Sequence, residues 1–133
     1  MGTYQNAEEA KAVFDDLFGR IIDLEESNKL FSGANAVLGV FYTDPDYFVA
    51  IDGTQSPAVL HFEPRPVDIE IRMSADTGHK FWKNELNFPV AMMKGKAKVK
   101  GPSDVVMKLL PAVLPGQGLY PAVLKDHNRE DLI

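Results

Sequence analysis

Apolar residues recur at helical intervals near the start of the chain. Asn6 and Glu9 have the spacing of a capping box, and the apolar positions that follow are Ala10, Val13, Phe14, Leu17, Phe18, Ile21 and Leu24. Steps of three and four residues place all of these on one helix face. Acidic residues fill the opposite face, as is typical of a solvated helix surface. The pattern predicts a first helix from about residue 7 to residue 27.

The next region predicts short strands separated by turns. The strand-like runs cover residues 35–42, 47–52, 58–62 and 67–73, and the short turns between the first three favour an antiparallel meander. In the fourth run, apolar residues alternate with charged ones, which predicts one buried and one solvated face. Its buried positions are Val67, Ile69, Ile71 and Met73, and its solvated positions are Asp68, Glu70 and Arg72.

A second helix is expected directly after the fourth strand. Ser74 is placed to cap a helix that runs through Phe81, Trp82 and Leu86. Residues 87–89 then end this helix, because a residue before proline disfavours helical geometry.

Four lysines then fall on every second position, at Lys94, Lys96, Lys98 and Lys100. Successive side chains of a strand point to opposite faces, so the pattern predicts a fifth strand with a lysine face, while Met93, Gly95, Ala97 and Val99 face inward. We expect this strand at a sheet edge beside the fourth, where its lysines pair with acidic residues. A phosphate loop is not expected, because its Gly-Lys would have to open a helix.

The chain carries no charge from Leu109 to Leu124. Ser103 is placed to cap a helix before this segment, and the prolines and glycines within the segment exclude a transmembrane helix of about 20 residues. Pro-Ala-Val-Leu occurs at 111–114 and again at 121–124, which predicts two short apolar turns joined by Pro-Gly-Gln-Gly. Such a segment should cover the core, an apolar ligand or a membrane, because large exposed apolar patches are uncommon.

Composition limits the classes of function. A chain of 133 residues that is 45% hydrophobic and 25% charged is typical of one globular domain. A net charge of −5 argues against nucleic acid as a partner. The absence of cysteine removes disulfides and thiol chemistry, and together with a start that lacks an export signal it predicts a cytoplasmic protein.

Catalytic chemistry is not expected from these residues. The three histidines, His61, His79 and His127, lack metal-ligand spacing and are interpreted as surface residues. Asp68 and Glu70 share a solvated, lysine-neighboured strand face that would not raise a carboxyl pKa as acid catalysis requires. We expect no enzyme activity, no metal and no cofactor.

Residues 71–110 carry an ordered set of motifs. These are a strand ending near Met73 with Asp76 opening a helix, a bend with Asn87 and Pro89, the Gly95-Lys96-x-Lys98-x-x-Gly101 strand, and a helix with Met107, Lys108 and Leu109. The set resembles the conserved half of the sterol carrier protein 2 (SCP2) sterol-binding domain family, and the order of elements is similar over about residues 5–114. The C-terminal targeting tripeptide of peroxisomal members is absent and residues 115–133 match nothing, which suggests a stand-alone, prokaryotic-type member.

The resemblance implies an α+β fold in which helices cover one face of a five-stranded, largely antiparallel sheet. It also implies a hydrophobic tunnel that carries a fatty acyl chain, acyl-CoA or a sterol-like lipid, in a single domain of residues 1–133 with residues 111–133 as a lid or tail. The residues expected to line the tunnel are Leu17, Phe18, Ile21, Phe81, Trp82, Leu86, Met92, Val106, Leu109 and Leu110, with Leu114, Leu119 and Tyr120 in the lid.

Three functions remain open on the sequence. A lipid carrier predicts a continuous apolar cavity of at least ~300 Å³. A non-catalytic accessory or homo-oligomerisation module predicts that the same residues fill the core, with the uncharged segment packed on another subunit. An enzyme predicts a polar pocket. Transient membrane contact would add the lysines at 94–100 and the tail as a docking surface.

Overall fold

The computed structural model describes residues 2–133 and, at Ser103, the backbone only. Helices and strands follow one another in the order α1 (Ala7–Asp23), α2 (Glu25–Gly33), β1 (Val37–Thr43), β2 (Tyr47–Asp52), β3 (Val59–His61), β4 (Ile69–Ser74), α3 (Ala75–Trp82), α4 (Phe88–Met93), β5 (Ala97–Lys100), α5 (Ser103–Val113) and α6 (Pro115–Asp126). A short 3-10 helix, Glu130–Leu132, ends the chain.

The five strands form one mixed sheet in the order β3-β2-β1-β4-β5. All neighbours pair antiparallel except β1 and β4, which are parallel. The predicted α+β class, the antiparallel meander of the first three strands and the edge position of β5 are confirmed. Val67, in the connection from β3 to β4, lies against the outer face of the sheet, because a Cβ on Gly39 would lie 2.8 Å from Val67 Cγ1, so its predicted position on the buried face is wrong.

The inner face of the sheet carries the core. Leu38, Val40 and Tyr42 of β1 lie beside Ile69, Ile71 and Met73 of β4 in register. Helix α1 packs over this face, with the Phe14 ring 4.5 Å from the ring of Tyr42 and 5.2 Å from that of Tyr47. Helix α6 packs along α1, so the uncharged C-terminal segment contributes to the same core, in which Tyr120, Val123 and Leu124 are at most 1% exposed.

The first helix begins as predicted and ends early. The Asn6 side chain accepts a hydrogen bond from Glu9 N over 2.8 Å, but the helix stops at Asp23 and Leu24 is extended, so the predicted end at residue 27 is wrong. The Asn28 side chain stabilises this bend, since it donates to Ile22 O and accepts from Ala58 N. The bend redirects α2 so that Phe31 becomes 2% exposed.

The predicted lysine strand is too long. Asn87 accepts a hydrogen bond from Val90 N and caps helix α4, and the end of this helix with the turn after it replaces the first half of the predicted strand. Met93 ends that helix and is 87% exposed, so its predicted inward position is wrong. Gly95, at φ +74°, makes the turn into β5. An alternating pattern was overridden here by a cap followed by proline, which is a strong helix start.

Two lysines of the predicted row do lie on β5. Lys98 and Lys100 are opposite Arg72 and Glu70 of β4, and Lys100 Nζ lies 3.9 Å from a Glu70 oxygen. The expected charge compensation beside the fourth strand therefore involves this pair. Helix α3 begins at the Ser74 cap as predicted but ends at Trp82, which leaves Leu86 outside it.

The C-terminal segment is more helical than expected. Helix α5 runs through Pro111 to Val113, and α6 includes Pro-Gly-Gln-Gly and Pro121, so the prediction of two short turns is wrong. Pro115 opens α6, where a missing N–H costs no helical hydrogen bond. The N-cap of α5 is Pro102 rather than Ser103, an error of one residue.

Candidate functional site

An apolar cavity lies between the inner face of the sheet and the helices that cover it. Its walls come from β1, β4, α1, α3, α4 and α5, and its volume is about 50 Å³. The thirteen lining residues, none of them charged, are Phe18, Leu38, Val40, Tyr42, Ile71, Met73, Phe81, Trp82, Phe88, Val106, Leu109, Leu110 and Val113.

This cavity is smaller than a lipid tunnel requires. One water molecule needs about 10–15 Å³ on this measure, so the cavity would hold only a few water-sized groups. Sites that enclose small organic ligands are usually at least ~300 Å³. A lipid can therefore enter only if the covering helices move apart.

Six of the predicted wall residues line the cavity, namely Phe18, Phe81, Trp82, Val106, Leu109 and Leu110. The other seven lie elsewhere. Leu17, Ile21 and Tyr120 are buried in the core, Leu86, Met92 and Leu119 are half-buried beside it, and Leu114 is 40% exposed. The assignment of all thirteen predicted residues to a ligand stays a prediction.

The cavity-lining residues predicted from the sequence were sought on the helices, and those of the sheet were not predicted. Five of the seven missed lining residues are Leu38, Val40 and Tyr42 of β1 with Ile71 and Met73 of β4. Alternation in β4 was a usable signal, because one strand face must lie under the helices, whereas β1 is a continuous apolar run that does not distinguish its two faces. Phe88 was missed because α4 was not expected, and Val113 because α5 was expected to be broken.

The polar atoms at the cavity wall belong to two aromatic side chains. Trp82 Nε1 donates a hydrogen bond to the Tyr42 hydroxyl over 3.0 Å. Burial raises the pKa of Tyr42, so this hydroxyl stays protonated. The Tyr42 ring also packs on Gly78 of α3, where a Cβ would lie 2.8 Å from Tyr42 Cε1. This glycine therefore allows Tyr42 to lie directly beneath α3.

Outside the cavity, three buried polar side chains connect α6, α3 and the segment before α1 by hydrogen bonds. The Tyr120 hydroxyl of α6 lies 2.5 Å from the Tyr4 hydroxyl and 2.6 Å from His79 Nδ1 of α3. His79 is 9% exposed, so its predicted surface position is wrong. Burial lowers the His79 pKa, with nearby Lys83 acting in the same direction. This arrangement stabilises the packing of α6 and does not face the cavity.

The acidic pair considered from the sequence lies on the solvated sheet face. Glu70 accepts from Arg72 Nε over 2.7 Å, and this bond holds the Glu70 pKa below its ordinary value. Asp68 accepts from Val37 N over 2.8 Å. A carboxyl with a lowered pKa is not suited to donate a proton near neutral pH.

Residues 2–133 lack two other features, a metal-ligand cluster and a membrane-spanning helix. Within that range no group of three or more metal-ligating side chains is close enough to hold an ion. Nor does any helix in the described part of the chain have the length and apolar character needed to span a bilayer.

No family model and no curated protein matches this sequence. The fold does match solved structures. The sterol carrier protein domain 2 of Helicoverpa armigera superposes with a TM-score of 0.66 at 18% identity, over 88% of this chain and 96% of that one. This protein has the SCP2 fold. Sterol carrier protein 2 from Yarrowia lipolytica matches with a TM-score of 0.58 at 19% identity, over 72% of this chain and 89% of that one.

The SCP2 fold also matches part of a larger enzyme. The sec-alkylsulfatase Pisa1 from Pseudomonas sp. matches with a TM-score of 0.52 at 15% identity, over 64% of this chain but only 14% of that one. The fold therefore occurs both as nearly a whole chain and as a small part of one.

Proposed function

We propose that this protein binds and carries an apolar lipid, without catalysis, in the cavity between the sheet and its covering helices. The observation that carries the proposal is a wall of thirteen uncharged, almost wholly apolar side chains that meet at a void inside an SCP2 fold. Burying a lipid chain there recovers about 0.8 kcal/mol per CH₂ group, which is comparable to what a bilayer offers. The ligand class is a fatty acyl chain, an acyl-CoA or a sterol-like molecule.

Lipid entry requires the cavity to expand, and α4 and α5 are the elements suited to open it. Helix α4 has only six residues, and Leu110 and Val113 of α5 are lining residues that remain half-buried. Pro111 lacks the N–H that would bond within α5, which weakens that helix at the same point. We infer that a lipid enters between these two helices and that, within residues 111–133, the lid is the half-buried end of α5 while α6 stays packed in the core.

Transient membrane contact would deliver the lipid to this entrance. The turn from α4 to β5 presents Met93, 87% exposed, beside exposed Lys94 and Lys96. A protruding apolar side chain flanked by lysines suits an anionic bilayer surface, to which each lysine adds about 1 kcal/mol. Helix α4 also contributes Phe88 to the cavity wall, so docking and entry involve the same helix.

A second candidate function is a non-catalytic accessory or oligomerisation module that binds no lipid. The small cavity, about 50 Å³, favours it, because a nearly filled core is what that function predicts. Four large apolar residues of the uncharged segment are already buried within this chain, namely Leu109, Tyr120, Val123 and Leu124. A contact with another subunit would therefore depend on the exposed Leu114 of this segment and on the exposed Met107 that precedes it.

Native mass spectrometry of protein purified from cells distinguishes a lipid carrier from a module that binds no lipid. A carrier should retain a lipid, and a change of Val113→Phe, at the half-buried cavity wall, should reduce lipid occupancy by filling the space. Val105→Phe is the matched control, since Val105 lies on the same helix and is half-buried but does not line the cavity. Unliganded wild-type protein, together with no displacement of a fluorescent fatty acid, would refute the carrier proposal.

A further inference from the structure

Tyr42 lines the cavity, and its hydroxyl is a hydrogen-bond donor without an acceptor among the described residues. An indole nitrogen can only donate, so in the Trp82–Tyr42 bond the Tyr42 oxygen is the acceptor. The hydroxyl hydrogen of Tyr42 must then find its own acceptor elsewhere. Among the side chains that the structure describes, Trp82 is the only hydrogen-bond partner of this hydroxyl.

Bulk solvent does not reach the Tyr42 hydroxyl, and a lipid that displaces water from the cavity must supply the acceptor in its place. Tyr42 is 3% exposed, covered by the Phe14 ring and by Gly78 of α3. A buried donor left without an acceptor is unfavourable, because it loses its bond to water and gains none in return. The remaining lining side chains, apart from Trp82, carry no nitrogen or oxygen that could serve.

We propose that the Tyr42 hydroxyl donates a hydrogen bond to a neutral oxygen of the bound lipid. The preferred ligand is then an apolar molecule with a carbonyl, ester or hydroxyl oxygen at the end that enters first. This inference rests on the proposed lipid-carrying function and adds the chemical class of the ligand. The oxygen-bearing end lies deep, beneath α3, and the apolar remainder extends toward the half-buried residues of α5.

A carboxylate does not fit the same position. No lining residue is charged, and one donor cannot replace the hydration shell of an ion in an apolar cavity. A free fatty acid should therefore bind with its carboxylate outside, near the entrance, and leave the Tyr42 hydroxyl unused. A neutral oxygen needs only one hydrogen bond, which Tyr42 supplies.

Trp82 provides the readout, because it is the single tryptophan of the chain and lies on the cavity wall. Three matched brominated probes, a long-chain methyl ester, the free acid and the hydrocarbon, quench tryptophan fluorescence on contact. Tyr42→Phe should weaken ester binding by about two- to tenfold, the range expected for one net hydrogen bond. Binding of the acid and the hydrocarbon should change less than twofold.

Tyr47→Phe is the matched control, since Tyr47 is a buried tyrosine of the neighbouring strand whose hydroxyl donates to Asp15 and does not line the cavity. It should leave the ratio of ester to hydrocarbon affinity unchanged. An equal effect of Tyr42→Phe on all three probes would overturn the assignment of Tyr42.

Infrared spectroscopy of wild-type protein tests the same bond without any variant. The carbonyl stretch of an isotope-labelled ester should move to lower frequency on binding if Tyr42 donates to it. An unshifted band would overturn the inference even if Tyr42→Phe fails to fold. Failure of all three probes to quench Trp82 would instead refute the lipid-carrying function itself.

Discussion

Gly116 lies where α6 meets α1 and α3. A Cβ at this position would lie 2.6 Å from both Ile21 Cδ1 and Trp82 Cζ3. Gly118, two residues later in the same helix, has no other atom within 4 Å of the equivalent point. The two glycines therefore differ in packing although both lie within one helix, and only the first one sets how closely the helices approach.

Gly116→Ala should destabilise the protein by up to about 2 kcal/mol, because overpacking costs about 1–3 kcal/mol and the gain in helix propensity offsets about 1 kcal/mol. Gly118→Ala is the control and should stabilise by up to about 1 kcal/mol. Urea unfolding followed by Trp82 fluorescence measures both changes. Equal stability of the two variants would show that Ile21 and Trp82 adjust without cost.

His79 should make the stability depend on pH. Burial lowers its pKa below the ordinary value of 6.5, so as the pH falls through that value the unfolded chain binds a proton before the folded protein does. The stability contribution is therefore complete above pH 6.5 and is lost as the pH falls toward the lowered pKa. The neighbouring groups Lys83, Glu85, Asp76 and Arg129 also act on this pKa, Lys83 and Arg129 lowering it and the two carboxylates raising it.

His79→Gln should remove this dependence, because glutamine has no proton to gain and its amide can still bond to Tyr120. Unfolding free energies at neutral pH and about one unit below the ordinary histidine pKa give the measurement. Wild-type protein should lose more stability than the variant over that interval. The other two histidines are present in both proteins, so an equal loss would exclude His79 as the cause.

At the scale of elements, α4 connects the cavity wall to the exposed turn that follows it. Phe88 at its start lines the cavity, and Met93 at its end is almost fully solvated. If this turn docks on a bilayer, Met93→Ser should weaken binding to anionic vesicles by about ten- to a hundredfold, because burying such a side chain contributes about 1.5–3 kcal/mol. Co-sedimentation with vesicles measures the effect.

Leu30→Ser is the control for this docking surface, since Leu30 is an exposed apolar residue beside a lysine on a different helix. It should leave vesicle binding unchanged. Binding of wild-type protein should also fall with added salt and on zwitterionic vesicles, as lysine attraction to anionic lipid requires. Equal losses for the two variants would locate the membrane contact somewhere other than the α4–β5 turn.

The helices and strands predicted from the sequence were correct where only one sequence pattern was present. The Asn6 and Ser74 caps had no competitor and match the structure, as does the predicted alternation from residue 69 to residue 73, although not at Val67 before it. Alternation failed after Asn87, where a cap and a proline favour a helix over a strand. The bend at Leu24 could not be predicted because it depends on Asn28 reaching Ala58, thirty residues away.

At the scale of the whole molecule, the position of the cavity was only partly predictable. The six predicted helix residues that line it are apolar and face the sheet, as periodicity requires. Others with the same periodicity, such as Leu17 and Ile21, are core residues, and Tyr120 is held by His79 and Tyr4. Periodicity identifies a buried face but not which part of it borders a void, because the void depends on how several elements meet. The cytoplasmic location stays a prediction.

The role of α6 also belongs to the whole molecule, because a lid and a core helix predict different results on truncation. Tyr120, Val123 and Leu124 of α6 are at most 1% exposed. Burial of three such side chains contributes about 5–9 kcal/mol to the free energy of unfolding. This is a large share of the total of about 5–15 kcal/mol that is typical of a domain. A chain ending at Leu114 should therefore lose cooperative unfolding, whereas a removable lid would leave it intact.

A chain ending at Asp126 is the control, because it keeps α6 and removes only the last seven residues. It loses the hydrogen bonds of Arg129 to Glu9 and to Thr3 O, so it should fold with its stability lowered by about 1–3 kcal/mol. Urea unfolding of the two truncated chains provides the comparison. A cooperative transition in the chain ending at Leu114 would make α6 a lid that the core does not need, and its lipid occupancy would then show what the lid covers.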